Sequence, residues 1–204
     1  MQKKFVTNLG LVLLLNLLIK PYWIFGIYRN VQLIVGTEQY GFYYAIFSFS
    51  FLLNILLDFG ITNFNNKNIS QNNHLLSKHL SSIIVLRIML ALVFAIITFL
   101  AGLIVQYNSD MLKMLIAVIF NQILLGFILY LRSNLAGMHL FKTDSIVSVL
   151  DRLIMIAICS YLIYLHNHGG EFSITWFVYS QTIAYVITVF ITLTVVLKKA
   201  KIRR

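Results

Sequence analysis

Charged residues and cysteine are scarce in this sequence. Only 11% of its 204 residues are Asp, Glu, Lys or Arg, whereas 60% are hydrophobic, a balance that excludes an ordinary soluble domain. The single cysteine, Cys159, excludes an internal disulfide, and its place in an apolar run makes it a packing residue. These deficits indicate a protein of the lipid bilayer.

Six apolar segments are long enough to cross the ~30 Å hydrocarbon core of a bilayer as α-helices. They run over about 9–35, 40–63, 82–106, 112–131, 145–165 and 173–197. Their continuous apolar runs lack the alternation that is typical of outer-membrane barrel strands. We therefore predict an all-α, polytopic integral membrane bundle of about six transmembrane helices that forms a single domain over residues 1–204.

The formal net charge of +10 is distributed unevenly along the predicted topology. Basic residues cluster at the two ends of the chain, as in Lys3 and Lys4 or Arg203 and Arg204, whereas Lys113 falls on the opposite side. The positive-inside rule then predicts that both termini are cytoplasmic. Because there is no folded polar surface to carry a basic patch, the charge does not indicate a nucleic-acid partner.

The acidic residues are too few and too scattered to predict a catalytic centre. They are Glu38, Asp58, Asp110, Asp144, Asp151 and Glu171. His166 and His168 flank Asn167, but no third metal ligand lies nearby in the sequence, so we interpret them as loop residues. We predict a protein that is not an enzyme and that holds no metal and no cofactor.

The first predicted span contains Lys20 beside the only proline, Pro21, and then Arg29 nine positions later. A cation at membrane depth is costly and by default indicates function. On a straight helix nine residues turn through ~900°, which places the two cations on opposite sides. Pro21 removes a backbone hydrogen bond and Gly26 loosens the next turn, so we predict a bent helix that turns both cations into one cavity. Two cations in one cavity indicate an anionic ligand.

Simpler interpretations of these residues stay open. Lysine snorkels to the interface, arginine anchors a helix at the outer surface, and proline occurs in membrane helices for packing reasons. Asp58 fits either an interface position or a cavity. Asn16 and Asn30 fit either interhelical hydrogen bonds or the same cavity.

Three motifs follow one another in the first 70 residues or so. Arg29 precedes V-x-x-x-V-G, then comes G-x-x-x-Y-G-x-Y, and then L-L-D-x-G-I. The residues are Gly36, Tyr40, Gly41 and Tyr43, followed by Leu56, Leu57, Asp58, Gly60 and Ile61. This run resembles the opening of bacterial polysaccharide flippases in the multidrug/oligosaccharidyl-lipid/polysaccharide exporter superfamily.

The resemblance implies a flippase of the bacterial cytoplasmic membrane that serves the synthesis of surface polysaccharides such as the O-antigen of lipopolysaccharide. Its ligand would be an undecaprenyl-pyrophosphate-linked oligosaccharide, and its other partners would be membrane lipids. Arg29 matches the family's first-helix arginine, and we expect it to hold the pyrophosphate together with Lys20, which is assigned from its depth. Arg87 is expected to help at the inner mouth of the cavity.

The resemblance implies a protein of two lobes with about twelve or fourteen helices in all. This sequence resembles the amino-terminal six-helix lobe alone. A second copy, a separate second-lobe chain, a truncated protein and a partial sequence all fit this observation. Two other functions stay open as well. One is a non-transporting scaffold for polysaccharide-assembly enzymes, and the other is a cation-coupled exporter of small molecules, for which more intramembrane carboxylates than Asp58 are expected.

Overall fold

The computed structural model describes the backbone of residues 2–72 and 75–202, and the side chains of residues 10, 13–72 and 80–199. Within these residues the chain forms helices joined by turns, with no strand, which confirms the predicted all-α fold. The α-helices are α1 (Gln2–Pro21), α2 (Arg29–Leu52), α3 (Ile61–Gln71), α4 (Leu75–Ile104), α5 (Ser109–Gly137), α6 (Phe141–Asn167) and α7 (Ile174–Ile202). A π-helix, Tyr22–Tyr28, joins α1 to α2, and a 3₁₀-helix, Asn54–Leu57, follows α2.

Four helical segments of the described chain are long and apolar enough to cross a membrane. They are Leu80–Ile104, Ser109–Gly137, Phe141–Asn167 and Ile174–Lys199, and they overlap the last four predicted spans. A fifth candidate exists if Leu13–Leu52 and Asn54–Gln71, which are bent by 53°, form one span. The protein is therefore multi-pass. The side chains of Lys3, Lys4, Arg203 and Arg204 lie outside the described residues, and the cytoplasmic placement of the termini stays a prediction.

The described residues contain at most five candidate spans, whereas the sequence predicted six. The difference arises at Gly36. This residue has a non-helical conformation inside α2, with φ 82° and ψ 162°. Trp23 and Tyr43 would lie ~30 Å apart on a straight helix, yet their rings lie 6.1 and 5.7 Å from that of Phe177. The chain therefore folds back at Gly36, in a conformation that residues other than glycine adopt only with strain. We call residues 9–35 the first arm and residues 37–63 the second arm. The two arms occupy the places of the first two predicted spans.

The second arm does not continue as one straight helix through the predicted span 40–63. After α2 ends, the 3₁₀-helix leads to Gly60, which is left-handed with φ 81°, and α3 then starts in a new direction. The polar segment NFNNKNISQ, residues 63–71, is therefore helical.

Helix α3 docks on the C-terminal half of α5. The buried Asn65 side chain donates hydrogen bonds to Ser133 Oγ at 2.8 Å and to Asn134 Oδ1 at 3.1 Å. Ile69 packs where Gly137 leaves room, since a Cβ on that glycine would lie 2.9 Å from the Ile69 Cβ. A polar helix is thus held against the bundle by hydrogen bonds and by one close approach.

Helix α5 lies at the centre of the bundle and contacts α2, α3, α4, α6 and α7, whereas α1 packs on α6. Many large apolar side chains, such as Leu17 and Phe25, point away from the core and are strongly exposed. Exposed apolar surface of this extent is expected of a protein whose solvent is lipid. The first arm therefore lies at the periphery, and its outward face is open.

Candidate functional site

The two first-span cations flank the π-helix. Lys20 lies in the last turn of α1, Pro21 follows it, and Arg29 opens α2. The backbone N–H of Arg29 donates to the Ile24 carbonyl, an i→i+5 bond that defines a π turn. Pro21 keeps α-helical angles (φ −61°, ψ −42°), so regular α geometry is lost after the proline, through Gly26.

The π-helix changes the angle between the two cations. An i→i+5 turn holds one residue more than an α turn. Because each residue of an α-helix accounts for ~100° of rotation, the extra residue reduces the angle between Lys20 and Arg29 from ~180° to ~80°. The local geometry thus brings both side chains toward one side, as a straight α-helix does not.

Both cations lie on the outward face of the first arm, which is the exposed face that points away from the bundle. Lys20 and Arg29 are exposed, whereas Trp23 and Ile27, on the other face of the π-helix, are buried. Asn30 is also exposed, and its side chain donates to the carbonyl of Gly26, which satisfies a backbone acceptor beside the π-helix. Asn16 is half-buried one turn before Lys20. These positions leave the two cations available to a ligand or to a partner.

A third cation, Arg152, lies against the same π-helix. Its guanidinium carbon is 5.6 Å from the centre of the Trp23 ring, and its Nε is 3.7 Å from Asp151 Oδ2. Asp151 is 7% exposed, so its carboxylate lies inside the bundle, within the predicted span 145–165. The signal that could have revealed the two charges is an Asp-Arg pair inside the apolar run VSVLDRLIMIAI.

Asp58 and Arg87 form an ion pair with each other. Arg87 is 3% exposed, donates through Nη1 to the Gly126 carbonyl at 3.1 Å, and lies over the Tyr130 ring. The carboxylate of Asp58 also accepts the backbone N–H of Thr62 at 3.1 Å, directly after the bend of the second arm. The charge of Arg87 is therefore matched inside the protein, and the pair links the bend to α4 and α5.

A family of polysaccharide biosynthesis proteins matches residues 6–204 of the chain. The chain belongs to this family. No curated protein and no solved structure matches it.

The family match spans residues 6–204 of this polysaccharide biosynthesis protein. The three sequence motifs, by contrast, lie within its first 70 residues or so. The match includes both cations of the first arm, the Asp58–Arg87 pair and all of α2 to α7. The resemblance to polysaccharide flippases is thereby confirmed at the level of the family. Family membership and the apolar helices together indicate that this chain is a multi-pass membrane protein with a role in polysaccharide biosynthesis.

In this family member a polar seam joins the second arm, α5 and α7. The Gln181 side chain donates to the Tyr43 hydroxyl at 2.9 Å, and Thr182 donates to Asn121 Oδ1 at 2.7 Å. Asn121 in turn donates to the Val178 carbonyl at 3.2 Å. Such interhelical hydrogen bonds hold membrane helices in a fixed register. The seam ties the second arm to the bundle.

The histidines near the α6–α7 turn have structural partners. His166 Nδ1 lies 3.0 Å from the Gly170 carbonyl, and His168 Nδ1 lies 2.8 Å from the Tyr164 carbonyl. Both rings therefore contact the backbone of their own turn. In the part of the chain that the structure describes, no three His, Cys, Asp or Glu side chains gather as metal ligands.

Proposed function

We propose that this protein moves undecaprenyl-pyrophosphate-linked oligosaccharides from the inner to the outer leaflet of the bacterial cytoplasmic membrane, as one lobe of a flippase. The observation that carries the proposal is the π-helix, which draws Lys20 and Arg29 toward one exposed face. Membership of the polysaccharide biosynthesis family supports the saccharide part of the ligand. The two cations support its anionic part.

The energetics favour a phosphate ligand over a purely structural role. Each cation at the centre of a helix costs roughly 2.5–3.5 kcal/mol on insertion scales, so two of them need an anionic partner at that depth. Arginine presents a planar fork of donors to phosphate oxygens, whereas lysine acts as a point charge. In the proposed clamp Arg29 orients the pyrophosphate and Lys20 adds charge.

A second lobe completes the proposed cavity. The outward face with Lys20 and Arg29 is exposed, and charges do not face lipid at low cost. We propose that a second copy of this chain or a separate second-lobe protein covers this face. Rocking of the two lobes would expose the clamp first inward and then outward while the lipid tail stays in the bilayer. Such a movement breaks no covalent bond, and we propose no enzymatic step.

The test is complementation of a deletion strain of the source bacterium with Lys20→Gln, Arg29→Gln and the double variant. Surface polysaccharide falls and lipid-linked oligosaccharide accumulates on the inner leaflet, while the amount of protein in the membrane stays normal. Lys142→Gln is the matched control, because Lys142 is an exposed lysine at the start of α6. Normal export by the double variant at normal abundance refutes the clamp and favours a non-transporting scaffold.

A further inference from the structure

A cavity of about 620 Å³ opens at the end of the bundle where three helical segments begin. Its walls are the first turns after Gly36, the first turns of α5 and the first turns of α7. This end also holds the turn between α6 and α7, and the predicted topology places it on the outer side of the membrane. We call this cavity the cup.

The cup has a polar rim and an apolar floor. The rim side chains are all exposed, and they are Glu38, Gln39, Asp110, Lys113, Thr175 and Tyr179. The floor contains Met114, Ile174 and Val178, which are buried. A ligand that fits such a site has hydroxyl or amide groups at its edge and apolar C–H surface beneath them.

The charges of the rim exclude an anion. Lys113 Nζ lies 3.1 Å from Asp110 Oδ1, so these two charges match each other. Glu38 has no ion-pair partner within the described residues, and it leaves the rim with one uncompensated negative charge. The carboxylates of the cup are also too few for a metal ion, which takes at least three or four protein ligands in a dedicated site.

Aromatic surface adds to the fit for a saccharide. Tyr179 stands half-exposed on the rim, and the partly buried Phe42 also lines the cup. Flat C–H faces pack against aromatic rings, while carboxylate and amide oxygens accept hydrogen bonds from hydroxyl groups. The volume lies within the range of small-molecule sites.

We propose that the cup binds the saccharide end of the transported lipid, as a neutral or amino sugar. This proposal rests on the proposed function. Family membership is the reason to expect a saccharide, and the clamp is the reason to expect a pyrophosphate-linked lipid that carries it. Arg29 precedes Gly36 by seven residues, or ~10 Å along a helix, so a ligand with its pyrophosphate at Arg29 has its sugars near the level of the cup. Glu38 accepts hydrogen bonds from hydroxyl or ammonium groups, and the Tyr179 ring packs on one sugar face.

The experiment is isothermal titration of the full chain in nanodiscs with glycan released by mild acid from the lipid-linked precursors of the source bacterium. We expect saturable binding by the wild type and about tenfold weaker binding by Glu38→Gln and Tyr179→Ala. Tyr161→Ala is the matched control, because Tyr161 is an exposed tyrosine on α6 that is not part of the cup. Thermal unfolding midpoints verify that all variants are folded.

Fluorescence locates the bound glycan. The Trp176 ring lies 6.3 Å from that of Tyr179, so glycan in the cup changes its emission, and Trp176→Phe removes this change. No saturable binding by the wild type, or equal affinity in Glu38→Gln, Tyr179→Ala and wild type, overturns the cup as a saccharide site. Since the free glycan has no pyrophosphate, Lys20→Gln and Arg29→Gln bind it normally. Failure of the cup is thereby distinguished from failure of the clamp.

Discussion

The guanidinium of Arg152 lies over the ring of Trp23, with 5.6 Å between its carbon and the ring centre. The contact joins α6 to the buried face of the π-helix, opposite the exposed face with Lys20 and Arg29. A cation over an aromatic face is attracted by about 0.5–2 kcal/mol, with the larger values where water is excluded. Trp23 therefore helps to hold the π-helix against α6.

Replacing Trp23 by leucine removes the aromatic face and keeps an apolar side chain. We expect a lower midpoint of thermal unfolding in detergent, because about 0.5–2 kcal/mol of attraction between Arg152 and the ring is lost. Trp23→Phe is the control, since phenylalanine keeps a ring under the guanidinium. Equal unfolding midpoints of the leucine and phenylalanine variants contradict this role of Trp23.

Replacing Asp58 by asparagine leaves Arg87 as an uncompensated charge inside the bundle. Loss of one partner of a buried pair costs about 3–5 kcal/mol, and we expect the lower end because Asp58 is 35% exposed. Thermal unfolding of the purified protein in detergent measures the loss. Asp110→Asn breaks an exposed pair on the bundle surface and is expected to leave the unfolding midpoint unchanged. Equal midpoints for Asp58→Asn and wild type would show that the pair is not buried in the membrane.

Gly137→Ala tests the docking of α3 on α5. The added Cβ meets Ile69 Cβ at 2.9 Å and the Asn66 carbonyl oxygen at 3.1 Å, so the helices must move apart, at about 1–3 kcal/mol. Gly102→Ala is the control, because its nearest contact is the end of the flexible Leu115 side chain. We expect a clearly lower unfolding midpoint for Gly137→Ala than for Gly102→Ala, and the reverse order contradicts the packing.

Gly36→Ala tests the fold-back of the first two arms. Because φ is 82° and ψ 162° there, alanine is strained by about 1–3 kcal/mol even though open space surrounds the position. Gly41→Ala, in the regular helix with equal open space, is expected to leave stability unchanged or to raise it. The amount of folded protein after membrane extraction reports both effects, and an innocuous Gly36→Ala contradicts a fold-back at this residue.

Hydropathy was sufficient to predict the helices that contain a long apolar run, namely α4 to α7. It could not reveal the fold-back, because glycine is compatible with a helix as well as with a turn and Gly36 has no neighbouring proline. The π-helix was also hidden, since the same apolar residues satisfy α and π hydrogen bonding. The sequence predicted irregular geometry near Pro21 and Gly26, but not its form or the rotation that follows from it.

Charged residues were the least predictable part of the candidate site. Asp58 and Arg87 are 29 residues apart, and only the packing of the second arm on α4 brings them together. Arg152 lies within the predicted span 145–165, but its contact with Trp23, more than 100 residues earlier, could not be predicted from the sequence. Long-range contacts of this kind leave no periodic signal in a single sequence.

The most direct test of the clamp is equilibrium binding of undecaprenyl pyrophosphate to the full chain in nanodiscs of uncharged lipid. We predict that Lys20→Gln and Arg29→Gln each weaken binding about tenfold, because each removes a charge-assisted contact to a phosphate oxygen. Lys142→Gln keeps the wild-type affinity. Wild-type affinity in the Lys20→Gln, Arg29→Gln double variant contradicts the account.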